Sequence, residues 1–171
     1  MLRPAAALLL TCLACVTTAC ADEAAAPIAG APQSVWLALG GETFTLELAA
    51  DPDTRHLGLS GRARIGRNHG MLFVYRGAAP RGMVMRDCPV PIDVAFLDAD
   101  GRIVALSAMA PEAPRAAGEP RSAYEARLPI HRSGVPARFA IEVAGGRLAS
   151  LGVVVGDKIA LDTEALAALA R

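Results

Sequence analysis

The chain predicts an α+β domain: a compact, mostly-β mixed sheet or barrel-like unit with two or three short helices. Three observations carry this prediction. Short runs of alternating apolar and polar residues recur between residues 34 and 161, each closed by Gly, Pro, Asp or Asn. Helix-starting chemistry is confined to brief segments. Strands and long helices do not alternate and no glycine-rich phosphate loop occurs, which excludes the doubly wound nucleotide-binding folds.

Taken in order, Ser34-Val35-Trp36-Leu37-Ala38-Leu39 and Thr43-Phe44-Thr45-Leu46-Glu47-Leu48 are two alternating runs joined by Gly40-Gly41, the pattern of a hairpin. Asp51-Pro52-Asp53-Thr54 supplies an N-cap and a first-turn proline for a short helix to about Leu59, cut off by Gly58 and Gly61. Residues 71–75 read as a compact apolar strand and residues 82–85 as a second. A further strand over 93–97 turns at Asp98-Ala99-Asp100-Gly101 into residues 102–108, because Gly tolerates the positive φ of such a turn. Residues 111–133 show no period and are too long for an idle connection, so they are expected to form a functional loop or a lid. Residues 137–143 alternate as a strand, 147–151 form a short helix after Gly145-Gly146, and 158–161 form a last strand. Thr163 is expected to cap a terminal Ala/Leu helix. The sheet should then hold seven or eight short strands.

The N-terminus has the form of an export signal over residues 1–20, with Arg3 ahead of an apolar stretch too short to span a bilayer. Two processing readings stand. Thr17-Thr18-Ala19-Cys20 resembles a lipobox, with Cys20 lipidated, and Ala19-Cys20-Ala21 also fits ordinary signal peptidase. The Ala/Pro-rich residues 21–33 favour the first, since they cannot bury a core and suit a spacer on a tether. Residues 34–171 are then a single globular domain in the periplasm or cell envelope, anchored through Cys20 if that residue is modified.

Of four cysteines, Cys12, Cys15 and Cys20 lie in the leader, and Cys88 alone remains, so no disulfide forms within the domain. Basic and acidic residues balance at 17 each and are interspersed, which argues against nucleic acid as a partner. The three histidines are scattered without metal-ligand spacing, so neither a metal nor a cofactor is expected.

Several fragments fall in a familiar order: Arg55-x-x-Gly58-Leu59, His69-Gly70-Met71-Leu72-Phe73-Val74, Met85-Arg86-Asp87-Cys88-x-x-Pro91-Ile92-Asp93-x-x-Phe96-x-Asp98-x-Asp100-Gly101-Arg102, Pro136-Ala137-Arg138 and Gly152-x-x-x-Gly156-Asp157. Over about residues 36–161 the chain resembles the domain of unknown function 192 family. The resemblance implies a small, largely β, frequently exported or lipid-anchored protein with no assigned activity. Relatives usually carry an aromatic pair ahead of the residue matching Met85, and Asn where Asp87 stands. Here the pair is Met83 and Val84.

The residues singled out as a candidate pocket are Arg62, His69, Met85, Arg86, Asp87, Cys88 and Asp93. Asp93, at the start of a buried strand, is either a satisfied structural carboxylate or a ligand-binding or catalytic one. With Asp87 it could form a carboxylate pair with divided proton affinities. Cys88 beside Arg86 is either a half-buried small residue or a nucleophile in need of a base, with His56, His69 and His131 as candidates. Arg55, Arg62, Arg86 and Arg138 could gather around an anion. Two functions follow: a non-catalytic envelope module that binds a small molecule or an envelope protein, or a small exported hydrolase-like enzyme using Asp93 and Asp87 with Cys88 or His69.

Overall fold

Alternating side chains bring the first two strands together. β1 (Ser34–Leu39) and β2 (Glu42–Ala49) pair antiparallel around Gly40-Gly41, both of which take positive φ. In this computed structural model the described residues are 33–171. The leader, Cys20 and nearly all of the proposed spacer lie outside them.

Asp51 caps α1 (Pro52–Leu57), accepting from the Asp53 and Thr54 amides at 3.0 Å each. The chain then enters β3 (His69–Met83), which runs parallel to β2 and antiparallel to β6 (His131–Ala144). β4 (Ile92–Leu97) lies between β6 and the edge strand β5 (Ile103–Met109), giving an open six-stranded mixed sheet of order β1-β2-β3-β6-β4-β5. Asp98 closes the β4–β5 turn by accepting from the Asp100 and Arg102 amides at 2.9 Å each. The other helices are also short: α2 (Arg121–Arg127), α3 (Arg147–Ser150) and α4 (Thr163–Leu169).

Both faces of the sheet are covered, and alternation sorts the strands between them. Leu72, Val74, Ala95, Leu97, Phe139, Ile141 and Val143 face one core, closed by Leu148, Val153, Ile159 and Leu166. Met71, Phe73, Ile92, Val94, Phe96 and Ala140 face the other, closed by Leu59, Met83, Met85 and Cys88. β4 is buried at all six positions, as a central strand between two layers must be. Strand backbones also approach closely at Gly70, where a Cβ would stand 2.0 Å from the Glu142 carbonyl oxygen.

Several sequence expectations are corrected here. The apolar runs at 71–75 and 82–85 belong to one long strand, β3, whose pairing with β6 is broken by irregularities between Val74 and Ala79 and between Pro80 and Gly82. Beyond the bulges the two strands form an arm, and His131 Nδ1, 2.8 Å from Ser107 Oγ, ties it back to β5. Residues 111–133 are not a structureless loop: they hold α2 and the start of β6. Residues 158–161 add only a single bridge, Arg102 to Lys158, because the chain turns inward to bury Ile159. Asp162, not Thr163, caps α4, its carboxylate accepting from the Ala165 amide at 3.0 Å.

Candidate functional site

Four polar or charged residues are buried among those described: Asp93, Ser133, Glu142 and Arg147. Three of them are satisfied. Asp93 Oδ2 accepts from the Leu148 amide at 2.9 Å. Ser133 accepts from the Arg81 amide and donates to the Val135 carbonyl. Arg147 donates to the Arg67 carbonyl, Ser150, Glu42 and Asn68. Glu142 is 6 % exposed and its carboxylate meets no hydrogen-bond or ion-pair partner among the described residues. An isolated buried carboxylate is costly, so a protein that keeps one requires an explanation.

The sheet places it. β-pairing sets Glu47, Met71, Glu142 and Val94 side by side across β2, β3, β6 and β4, all on the face closed by Met85 and Cys88. Above Glu142 the end of α1 arrives, and a Cβ on Gly58 would sit 3.9 Å from Glu142 Oε2. Gly58 takes φ 53° and ψ −137°, a conformation that glycine alone adopts at low cost. Glu142 thereby lines a cleft of about 190 Å³ together with Leu59, Phe73, Tyr75, Met83, Arg86 and Cys88. Burial pushes the Glu142 carboxyl up to about 7, with no cation among the described residues to offset it.

The guanidinium groups at the cleft are committed elsewhere. Arg55 donates to the carbonyls of Ala50 (2.6 Å), Val74 (3.0 Å) and Arg171 (2.8 Å). Arg86 donates to the His56 carbonyl, approaches His56 Nδ1 at 3.3 Å and pairs with Glu125 at 3.7 Å. The Tyr75 ring carries the Arg81 guanidinium 3.9 Å from its centroid and that of Arg55 at 5.4 Å. Burial holds the Tyr75 hydroxyl above its usual pKa.

The seven residues singled out in the sequence are dispersed. Arg86 and Cys88 line the Glu142 cleft, whereas Met85 is core, 1 % exposed. Arg62 and His69 line a separate polar cleft of about 500 Å³, where the Arg62 fork grips both oxygens of Glu47. Asp93 faces the opposite side of the sheet, opposite Val143 in the pairing. Asp87 is exposed at a turn and pairs with Arg121 at 3.3 Å, so the two aspartates form no pair. Cys88 donates to the Arg86 carbonyl at 3.4 Å, and burial, with Glu142 nearby, pushes its thiol up to about 11. It is therefore a neutral thiol at physiological pH rather than an activated nucleophile. The proposed arginine cluster also disperses: Arg138 reaches the Arg76 carbonyl at 3.4 Å and leaves its Nε buried without a partner.

Asp87 has a role of a different kind. It is the one described non-glycine residue with positive φ, 54°, and its amide donates to the Tyr124 hydroxyl at 2.8 Å, docking α2. Asp and Asn are the side chains that best tolerate this conformation, so backbone geometry accounts for an Asp here. Sequence reading missed Glu142, because Phe139, Ile141 and Val143 mark one face as core and thereby assign Glu142 to solvent. The signal that could have found it is β4: the run Ile92-Asp93-Val94-Ala95-Phe96-Leu97 is apolar on both faces but for Asp93, which requires a second covered layer beside Glu142.

An open mixed sheet covered on both faces, with an isolated acid at the floor of one cleft, defines a small α+β domain with a built pocket. The chain belongs to the domain of unknown function 192 family, described as an uncharacterized ACR, whose model matches residues 35–161. No curated protein matches it. Two crystal structures share the fold. A protein from Sinorhizobium meliloti 1021, named only provisionally as a transcription regulator, is 29 % identical with a TM-score of 0.60, covering 74 % of this chain and 91 % of that one. A protein of unknown function from Novosphingobium aromaticivorans DSM 12444 is 24 % identical with a TM-score of 0.61, covering 84 % and 99 %.

Proposed function

We propose that this chain is a non-catalytic ligand-binding module of the cell envelope, exported and tethered through Cys20, that takes a small molecule into the Glu142 cleft. One observation carries the binding reading: of the four buried polar residues among those described, Glu142 alone has no protein partner, and it lines an open cleft. A carboxyl group largely withdrawn from solvent and without a protein donor is compensated when a ligand in the cleft supplies one. The export reading rests on the leader and spacer at residues 1–33.

The hydrolytic alternative needs a shared reaction centre. Asp93 lies across the sheet from Cys88, His69 lines another cleft, and Asp87 is held at a surface turn by Arg121. Cys88 shares its cleft with His56, but burial keeps the thiol protonated, and neither aspartate joins them there.

The test is a thermal-shift screen of the purified protein against small envelope metabolites, with binding located by amide chemical shifts. At least one compound should raise the melting temperature and perturb Gly58, Phe73, Met83 and Cys88. If no compound does so, or if every perturbation maps to the Arg62 cleft, this reading of the Glu142 cleft falls.

A further inference from the structure

We infer that the Glu142 cleft takes a small organic ammonium ion, an amine head carried on a short apolar chain, with Glu142 as its counter-ion. The inference rests on the binding reading above and specifies the chemistry of the ligand.

The charge argument comes first. Glu142 is 94 % removed from solvent by its 6 % exposure, and no described cation compensates it. Arg55 and Arg86 line the same cleft, yet backbone carbonyls and Glu125 hold their guanidinium groups. His56 lines the cleft as well, its Nδ1 facing the Arg86 guanidinium at 3.3 Å. No described side-chain cation pairs with the acid, and the missing positive charge is left to the ligand. An anion would meet an uncompensated carboxylate in a poorly screened site and is disfavoured. A neutral hydroxyl could share a hydrogen bond with the carboxyl but brings no charge to hold it ionised, which an ammonium ion does.

The walls set the rest of the molecule. Leu57, Leu59, Phe73, Met83 and Val84 present apolar surface to the cleft, suited to a short alkyl chain. A divalent metal is a poor fit, because calcium or magnesium requires several oxygen ligands and no group of three His, Cys, Asp or Glu side chains gathers among the described residues. A volume of about 190 Å³ admits a compact molecule rather than a folded partner.

The experiment compares three probes of similar shape, n-butylamine, 1-butanol and butyrate, with the full-length protein and its Glu142→Gln variant. Binding is read by calorimetry and by the carbon-13 shift of the Glu142 carboxyl. n-Butylamine should bind wild type at least tenfold more tightly than either other probe, move the Glu142 carboxyl signal to its ionised position, and lose at least tenfold in affinity in Glu142→Gln. If butanol or butyrate binds in the cleft as well as the amine, or if Glu142→Gln binds the amine unchanged, the ammonium assignment is wrong while the cleft remains a binding site. If no probe perturbs any cleft residue, the ammonium assignment falls, and the metabolite screen then decides separately whether the cleft binds anything.

Discussion

At the scale of single residues, one carboxyl group couples the candidate site to stability. The native protein holds the Glu142 proton until about pH 7, whereas the unfolded chain releases it near the ordinary value of 4.5. Below that ordinary value the group is neutral in both states and costs nothing. Between the two values the unfolded state binds fewer protons, so stability falls as pH rises. Above neutrality the full loss is present, roughly 3 kcal/mol. Glu142→Gln removes the titration. Urea unfolding at pH 5 and pH 8 should therefore show the variant gaining on wild type as pH rises, with the larger advantage at pH 8. Parallel behaviour of the two proteins would mean that the carboxyl is not held neutral by burial. A site residue that destabilises its own fold is the expected signature of function retained against stability.

At the scale of elements, a polar residue in a buried strand can serve structure as fully as a neighbour serves binding, and the sheet face decides which. Asp93 and Glu142 lie on adjacent strands but on opposite faces, because Asp93 pairs with Val143 and Glu142 with Val94. Asp93 ties β4 to α3, a helix of four residues whose N-cap, Gly146, offers no side chain. Asp93→Ala should cost about 2 kcal/mol through loss of the cap and exposure of a buried amide without an acceptor. Amide exchange at Leu148 should accelerate, and binding in the Glu142 cleft should be unchanged. Loss of that binding at full native stability would instead place Asp93 in the site. α2 is held by its own contacts: the Tyr124 hydroxyl on the Asp87 amide, and Arg121 on Asp87 and Glu125. Its anchor, Tyr124, gave no sequence signal because a helix of seven residues is too short to display a period.

At the scale of the whole molecule, the sheet separates two chemistries. One face is closed by α3, α4 and the residues around Ile159, with Asp93 lining a cleft of about 170 Å³ beside Leu148 and Val153. The other is closed by α1, the arm of β3 and β6, and the segment around Cys88, which leaves a cleft. No helix among the described residues is long and apolar enough to cross a membrane. The proposed attachment rests on Cys20, outside those residues. Cells grown with radiolabelled palmitate should label the wild-type protein, and Cys20→Ala should lose the label and leave the membrane fraction. An unlabelled wild-type protein would replace the tether with soluble export.

The first hairpin, the helix start at Asp51-Pro52-Asp53-Thr54 and the β4–β5 turn were legible in sequence because each is set by residues adjacent along the chain, and the family was legible from five short fragments in order. Alternation, capping and glycine-dependent turns act over a few residues and leave local patterns. What the tertiary structure alone decided is which face each strand presents and what covers it. The order β3-β6-β4 brings strands together that are distant in sequence. A second layer then buries a glutamate that alternation assigns to solvent. Residues 85–93 hold turn, core and cap positions on both sides of the sheet, while the unpartnered acid lies on β6, where no local pattern marks it.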